Sequence, residues 1–211
     1  MDDTTITVTA VDSVGPDAVA ITFDSPPEFD AEPGQFVKLT ISTDEGEESR
    51  FYTVSSPDVT DTFEITVGID PEGAVGPALA ALEAGDSLRA SGPFGNDYYE
   101  GEGRVLVLAG GPGVGPAVAI AERALDDGGE AAVVYRDDAP IHDDRLEELR
   151  DRGAAITVLD GDDSLAPAVA EALTDGTQVF VYGFADFLDD AMAAIAAADG
   201  DQDAAKVENF G

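Results

Sequence analysis

As far as about residue 100, apolar and polar side chains alternate in short runs. TITVTAV (4–10), AVAITF (18–23), FVKLTI (36–41), SRFYTV (49–54), FEITVGI (63–69) and DSLRAS (86–91) are each bounded by clusters of Pro, Gly or Asp. A period of two places alternate side chains on one face of an extended strand, so each run predicts a half-buried strand. Short strands separated by turn residues predict a six-stranded antiparallel β-barrel of Greek-key type. One helical pattern interrupts them, GPALAALEAG (76–85), with Gly85 placed to end it.

The pattern changes after YYEGEG (98–103). RVLVLAG (104–110) is continuously apolar, as expected of a strand covered on both faces. Helix GPAVAIAERALDD (115–127), strand AAVVY (131–135), helix DDRLEELRDRG (143–153) and strand AAITVLD (154–160) follow. Helix LAPAVAEAL (165–173), strand QVFVYG (178–183), helix DFLDDAMAAIAAA (186–198) and a short strand KVENF (206–210) complete the chain. Strands alternating with helices predict a parallel sheet with right-handed crossovers. The reading is therefore a barrel domain over 1–99 and an α/β nucleotide-type domain over 100–211.

Charge narrows the setting. Ten Lys and Arg against 45 Asp and Glu give a formal net charge of −35, while 44% of residues are hydrophobic. Carboxylates spread along a periodic, apolar-rich chain argue for a folded protein, not a disordered tail. Self-repulsion at this charge is relieved where molar salt shortens the screening length to about 3 Å. The expectation is a halophile-type protein in a cytosol of concentrated salt. No basic patch exists to neutralise phosphates, so no nucleic-acid partner is expected. Cysteine is absent, which removes disulfides, thiolate metal sites and a Cys nucleophile. The single histidine, His142, lies in an acidic loop and reads as a solvated residue near a helix start; no metal site is expected. MDDTTITVTAV at the N-terminus lacks the basic and apolar regions of a signal peptide, and no apolar run has membrane-spanning length. A cytoplasmic location is expected.

VLVLAGGPGVGPAVAI joins a strand to a helix through glycines. Such a turn permits close backbone approach and offers unpaired N–H groups to an anion. Its glycines fall at 111, 113 and 115, with Pro116 in the third place of G-x-G-x-x-G, and no Lys follows as in a P-loop. Two readings stay open on this evidence: a tight turn without ligand, or a nucleotide site of non-standard type.

Several segments in this order resemble the ferredoxin–NAD(P)H reductase superfamily. PGQFVKL (33–39) is similar to its strand before the flavin motif, RFYTVSSP (50–57) to its R-x-Y-[ST] flavin motif, and GDSLRASGPFG (85–95) to its end-of-barrel segment. LAGGPGVGP (108–116), VFVYGFADFLDDA (179–191) and VENFG (207–211) resemble its pyrophosphate turn, nicotinamide-side strand and acid-x-aromatic ending. The resemblance implies FAD, with FMN the lesser alternative, and NAD(P)H as co-substrate. It implies that Arg50 holds the FAD pyrophosphate, a role suited to a guanidinium. Tyr52, beside Phe51, would pack on the flavin, and Thr53 would hydrogen-bond near flavin N5. Val67, Gly68, Gly73, Val75 and Gly76 are further flavin-side candidates. Gly110, Gly111, Gly113, Val114, Gly115 and Pro116 would cradle the dinucleotide; Tyr182, Gly183 and Phe184 would border the nicotinamide. Glu208 and Phe210 would stand at the flavin edge and face, Thr53 and Glu208 being the catalytic candidates. Tyr98 and Tyr99 read as linker packing, with adenine stacking as the alternative.

The chain departs from that pattern in places. Gly76 stands where the family carries a Ser or Thr hydroxyl, Pro112 occupies the variable turn position, and Tyr182-Gly183-Phe184 replaces Cys-Gly-Pro. Arg136, after AAVVY, suits a 2′-phosphate, whereas Asp137 and Asp138 suit a ribose diol, and the balance tips slightly to NADH. The implied function is hydride transfer from NAD(P)H to flavin and onward electron transfer to an acceptor such as ferredoxin. The rivals are a reductase of free flavin, and an electron-relay or regulatory subunit with little nicotinamide activity.

Overall fold

The computed structural model describes residues 1–211 apart from 28, 44 and 45. The alternating runs form β1 (Thr4–Gly15), β2 (Ala18–Asp24), β3 (Phe36–Thr43), β4 (Gly46–Thr53), β5 (Thr62–Gly68) and β6 (Ser87–Phe94), with α1 (Val75–Ala80) between the last two. They pair antiparallel in the order β4-β3-β6-β1-β2-β5. A bridge between Val54 and Ile65 brings the two edges together and closes the barrel. Its inward positions, among them Ile6, Ile21, Val37, Leu39, Phe63 and Ile65, form one buried core. Phe63 anchors it, stacked on Phe23 at 5.3 Å and tilted against Phe29 at 4.8 Å.

α1 is shorter than the pattern over 76–85 predicts. The chain leaves the helix after Ala80, and the Gly85 N–H donates to Val8 O across the barrel. Pairing with β1 overrides the local helical preference there.

The second half forms β7 (Arg104–Gly110), α2 (Val114–Asp126), β8 (Glu130–Arg136), α3 (Asp143–Asp151), β9 (Ala155–Leu159), α4 (Ala166–Ala172), β10 (Gln178–Gly183), α5 (Ala185–Ala197) and β11 (Lys206–Asn209). All its strands run parallel in the order β11-β10-β7-β8-β9. The sheet is covered on both faces, by α2 and α3 through Val107, Ile120 and Leu146, and by α4 and α5 through Leu108, Val169 and Ile195. That double burial explains the unbroken apolar texture of β7. Among the described residues no helix is long and apolar enough to cross a membrane.

Between β7 and α2 lies a single 3₁₀ turn, Gly111–Gly113. A side chain on Gly113 would meet the carbonyl of Tyr182 on the neighbouring β10, and one on Gly115 would meet Thr66 Oγ1 of the barrel at 2.5 Å. The two glycines are therefore required by contact with protein backbone and with the other domain, whatever ligand the turn holds. Gly113→Ala is expected to lose on the order of 2 kcal/mol of stability, because β10 cannot yield without disturbing the parallel sheet. A denaturant or thermal melt of the variant checks this.

Candidate functional site

Where the barrel edge faces the carboxyl ends of the parallel strands, a cavity of about 490 Å³ opens. Crevices at strand carboxyl ends are the usual ligand positions of parallel α/β sheets. One wall is β4, lined by Arg50, Phe51, Tyr52 and Thr53, with Thr66 and Gly68 of β5 beyond it. The other wall carries Pro112 and Pro116 from the glycine turn, Asp137, Ala139 and Ile141 after β8, and Phe184 and Phe210.

Strand register explains the β4 wall. Arg50 lies opposite Leu39 and Tyr52 opposite Val37, while Phe51 and Thr53 lie opposite Lys38 and Phe36 on the other face. All four line the cavity, so residues from both faces of β4 border it near the end of the strand. The Arg50 guanidinium pairs with Glu48 at 2.5 Å and donates to the Ser49 carbonyl at 3.0 Å. Both partners are neighbours on the same exposed strand, and such a pair is worth at most about 1 kcal/mol. A phosphate offering two parallel hydrogen bonds competes with it readily. Tyr52 is partly buried, and desolvation, opposed by the nearby Arg50 charge, raises its phenol to about 12, so it stays neutral. Phe51 is 61% exposed and meets Phe36 edge-on at 5.5 Å.

Thr53 is buried and its hydroxyl donates to Glu208 Oε1 on β11 at 3.0 Å, across the two sheets. Desolvation raises the Glu208 carboxyl to about 7; the Thr53 hydrogen bond opposes the shift and the Asp97 charge adds to it. Phe184, 52% exposed, packs edge-on against Phe210 at 6.0 Å, and the two rings face the barrel across the cavity.

Other expected site residues stand elsewhere. Tyr182 is buried, its hydroxyl donating to the Asp97 carbonyl at 3.3 Å, and it does not line the cavity: β10 turns it toward the linker. Arg136 is turned toward α5, where it pairs with Asp190 at 2.8 Å. Val67 belongs to the barrel core, and Gly73, Val75 and Gly76 lie behind the cavity wall. Gly110, Gly111, Gly113, Val114, Gly115 and Gly183 shape the turn and its packing without bordering the cavity. Tyr99 is linker packing, its hydroxyl donating to Asp127 at 3.0 Å, and Tyr98 lies 6.0 Å under the Lys206 ammonium.

The largest correction concerns His142. It is 5% exposed, not solvated, and its Nε2 lies 2.8 Å from Thr66 Oγ1, itself 2.9 Å from Ser55 Oγ. Beside this chain, Arg145 of α3 grips both Glu122 oxygens at 2.8 and 2.6 Å and reaches Glu64 at 3.0 Å and the Ser55 carbonyl at 2.8 Å. The barrel and the α/β layer are thus joined by a buried polar network beside the cavity. Nothing in APIHDD marks the histidine as buried; its partners lie 76 residues away in sequence.

Residues 5–99 match the family model described as the oxidoreductase FAD-binding domain. Over 109 residues, 49% of this chain, the sequence is 38% identical to the glycine betaine monooxygenase reductase subunit of Chromohalobacter salexigens, covering 29% of that protein. The chain spans about a third of the length of the first curated relatives it matches. Along its full length it overlays the FAD/NAD binding domain of nitric oxide dioxygenase from Vibrio cholerae, with a TM-score of 0.86, 20% identity and 100% of both chains covered. It likewise overlays a ferredoxin NADP+ reductase from Neisseria gonorrhoeae with bound FAD and NADP, at a TM-score of 0.82, 18% identity and 100% of both chains. The barrel is the part matched by the FAD-binding family model, and the two-layer fold is shared with these structures.

The network makes a pH-dependent contribution to stability. Desolvation first, and then the Arg145 charge, depress the His142 imidazole to about 3, against an ordinary value near 6.5. The unfolded chain then binds a proton between these values that the folded chain refuses, so this contribution is present above about pH 6.5 and lost as pH falls toward 3. His142→Gln keeps a hydrogen-bonding side chain and cannot titrate. Melts at constant high salt are expected to show wild type losing more stability than the variant between pH 7 and 5.

Proposed function

We propose that this chain is a flavin-dependent oxidoreductase that takes electrons from NAD(P)H and passes them to an acceptor. The observation that carries the reading is one cavity with Arg50, Tyr52 and Thr53 on its barrel wall and the glycine turn, Phe184 and Phe210 on the other. Its volume lies in the range of cofactor sites, and Arg50, the one lining cation among the described residues, sits where a pyrophosphate is expected. These residues fit FAD, with FMN the lesser alternative. Arg50 would hold the phosphates, Tyr52 would present a neutral ring to the flavin, and Thr53 would face its reactive edge. When bound, FAD supplies the chemistry: it accepts a hydride from the nicotinamide and releases electrons singly or in pairs.

The chain's own contribution is orientation, water exclusion and a proton. The Phe184 and Phe210 rings cover the cavity mouth on the nucleotide side. Below about pH 7 the Glu208 carboxyl is protonated and, once the Thr53 hydroxyl turns away from Oε1, can donate to Thr53 Oγ1, which then points its own O–H at the bound group. Thr53 is therefore the group facing the reacting atoms, and Glu208 acts through it.

Among the curated relatives are a glycine betaine monooxygenase reductase subunit and a toluate 1,2-dioxygenase electron transfer component, which supports a protein acceptor such as an oxygenase component or a ferredoxin. The charge of −35 supports work in a cytosol of concentrated salt, where an acidic acceptor can approach. A second reading, an electron-relay subunit with little nicotinamide activity, is favoured by Phe184 projecting into the cavity and by Pro112 at the turn. A reductase of free flavin is the remaining alternative, since no hydroxyl stands at Gly76.

Protein purified in about 2 M salt, chosen for its short screening length, is expected to be yellow and to bleach anaerobically with one equivalent of NAD(P)H. A yellow protein inert to both nucleotides would favour the relay reading, and a colourless one active only with added flavin the third. Arg50→Ala should lower flavin occupancy at least about tenfold, as expected for loss of a charged phosphate contact; full retention would contradict its role. The rate of flavin reduction should fall as pH rises through about 7, where Glu208 loses its proton. Glu208→Gln should flatten that profile in stopped-flow measurements.

A further inference from the structure

Among the described residues the large apolar side chains that stand exposed are Phe51, Phe94 and Phe184. Two of them belong to one cluster on the outside of the barrel. Phe51 meets half-buried Phe36 edge-on at 5.5 Å, Phe94 meets Phe36 at 5.9 Å, and Phe51 meets Phe94 at 6.4 Å. Val37 and Leu39 fill the barrel core, so Phe36 and Lys38 point outward, with Phe51 opposite Lys38 and Phe94 opposite Phe36. A break in the β3–β6 register between Phe36 and Lys38 brings Phe94 to this side. Unbroken alternation from Leu88 and Ala90, both buried, would send its ring into the barrel.

The same face carries an uncommitted cation. Of the ten Lys and Arg, eight hold a carboxylate, and among the described residues Lys38 and Arg150 do not. Lys38 lies across from Phe51 on β4 and from Ser91 on β6. Phe36, Lys38 and Phe94 do not line the cavity, whereas Phe51 lines it and also joins the cluster. The apolar face therefore starts at the cavity rim and runs outward over the barrel.

We infer that this face docks the protein that takes the electrons, an acidic one-electron carrier that sets an apolar rim on Phe36 and Phe94 and a carboxylate on Lys38. The inference rests on the flavin reading above and adds to it the acceptor's chemistry and its seat. Contiguous exposed aromatic rings are characteristic of protein interfaces and disfavoured on free surfaces. With a screening length of about 3 Å in molar salt, only charges in contact decide the fit, and the charge in contact here is an ammonium, despite the net −35. A second copy of this chain does not meet that need: the acids its matching face brings, Asp3 and Glu47, already hold Arg89. One NAD(P)H yields two electrons, one to each of two carriers docked in turn, and one proton passes to solvent.

The probe is an acidic ferredoxin carrying a two-iron cluster, with ferricyanide as a small acceptor that needs no seat and basic cytochrome c as the opposite charge. Full-length flavin-loaded protein is assayed with NAD(P)H in about 2 M salt. Binding of the oxidised ferredoxin is followed by calorimetry on the same samples, which reads docking whether or not the nucleotide reduces the flavin. Wild type is expected to reduce the ferredoxin with a KM that falls as salt rises from about 0.2 M to about 2 M, since net repulsion is screened while apolar contact persists. Phe94→Ser and Lys38→Glu should each raise that KM and the dissociation constant at least about tenfold, with ferricyanide rates within about twofold of wild type and flavin content unchanged. Both side chains lie outside the barrel core, and thermal melts check that the variants fold.

Unchanged ferredoxin affinity in both variants, or no ferredoxin binding by wild type, would overturn the assignment. So would an equal loss of ferricyanide reduction, loss of flavin from Phe94→Ser, or a larger loss of cytochrome c reduction than of ferredoxin reduction in Lys38→Glu. A wild-type dimer in sedimentation that Phe94→Ser dissociates would give the face to a second copy instead. Ferredoxin binding with the expected losses but no reduction by NAD(P)H would uphold the docking face and sink only the nicotinamide reading. Bleaching by NAD(P)H without ferredoxin binding would do the reverse.

Discussion

The close approach of β5 to the start of α2 sets the geometry on which the site depends. Gly115 leaves room for the Thr66 hydroxyl, which joins Ser55 within the barrel to His142 at the head of α3. Leaving any of these buried groups unpaired costs about 1–3 kcal/mol, so they hold as a set or fail as a set. With the two layers fixed in this way, Thr53 of the barrel reaches Glu208 of the far sheet, and the cavity acquires two walls of different chemistry. A purely apolar contact would bring the layers together without fixing their register, because apolar packing has no direction.

Electrostatics follows an economy imposed by composition. With ten cations among 45 acids, several cations are placed at boundaries between layers. Arg145 ties α3 to α2 and β5; Arg123 on α2 reaches Asp58 and the Pro57 carbonyl; Lys206 on β11 holds Glu100 and Glu102 of the linker. Of these, the Arg145–Glu122 pair is the most buried and the costliest to break by removing one partner, whereas pairs with exposed acids such as Asp58 and Glu100, like Arg50 with Glu48, are worth about 1 kcal/mol or less. The cation expected to meet a cofactor is therefore one of the weakly committed ones, and the cation at the sheet end, Arg136, is committed elsewhere. This division leaves Arg50 held only by its exposed pair with Glu48 and the neighbouring Ser49 carbonyl.

Much of the architecture was legible because burial leaves a periodic signature. Runs such as TITVTAV and RVLVLAG differ in whether one or both faces of a strand are covered, and β1 and β7 show this difference. The R-x-Y-T stretch was legible as a candidate, and the structure places Arg50, Tyr52 and Thr53 along the cavity wall. The side on which each candidate ends was not. Tyr182 and Phe184 are two positions apart, yet one is sealed in the interdomain core and the other stands in the cavity, because the chain leaves strand geometry at Gly183. Arg136 and Asp137 are adjacent, yet one turns to Asp190 of α5 and the other borders the cavity.

Sequence by itself determined the two layers, their order and the glycine turn between strand and helix, while the flavin and nicotinamide candidates came from the resemblance to a known family. The layers, their order and the turn follow from side-chain period and backbone freedom, which are local properties. Only the tertiary structure decided that His142 is a buried bridge, that Glu208 lies behind Thr53, and that Asp137, not Arg136, borders the cavity. Each of these depends on partners brought together across long stretches of chain, and desolvation at such meetings changes what a titratable group does. Period and composition carry no record of those distances.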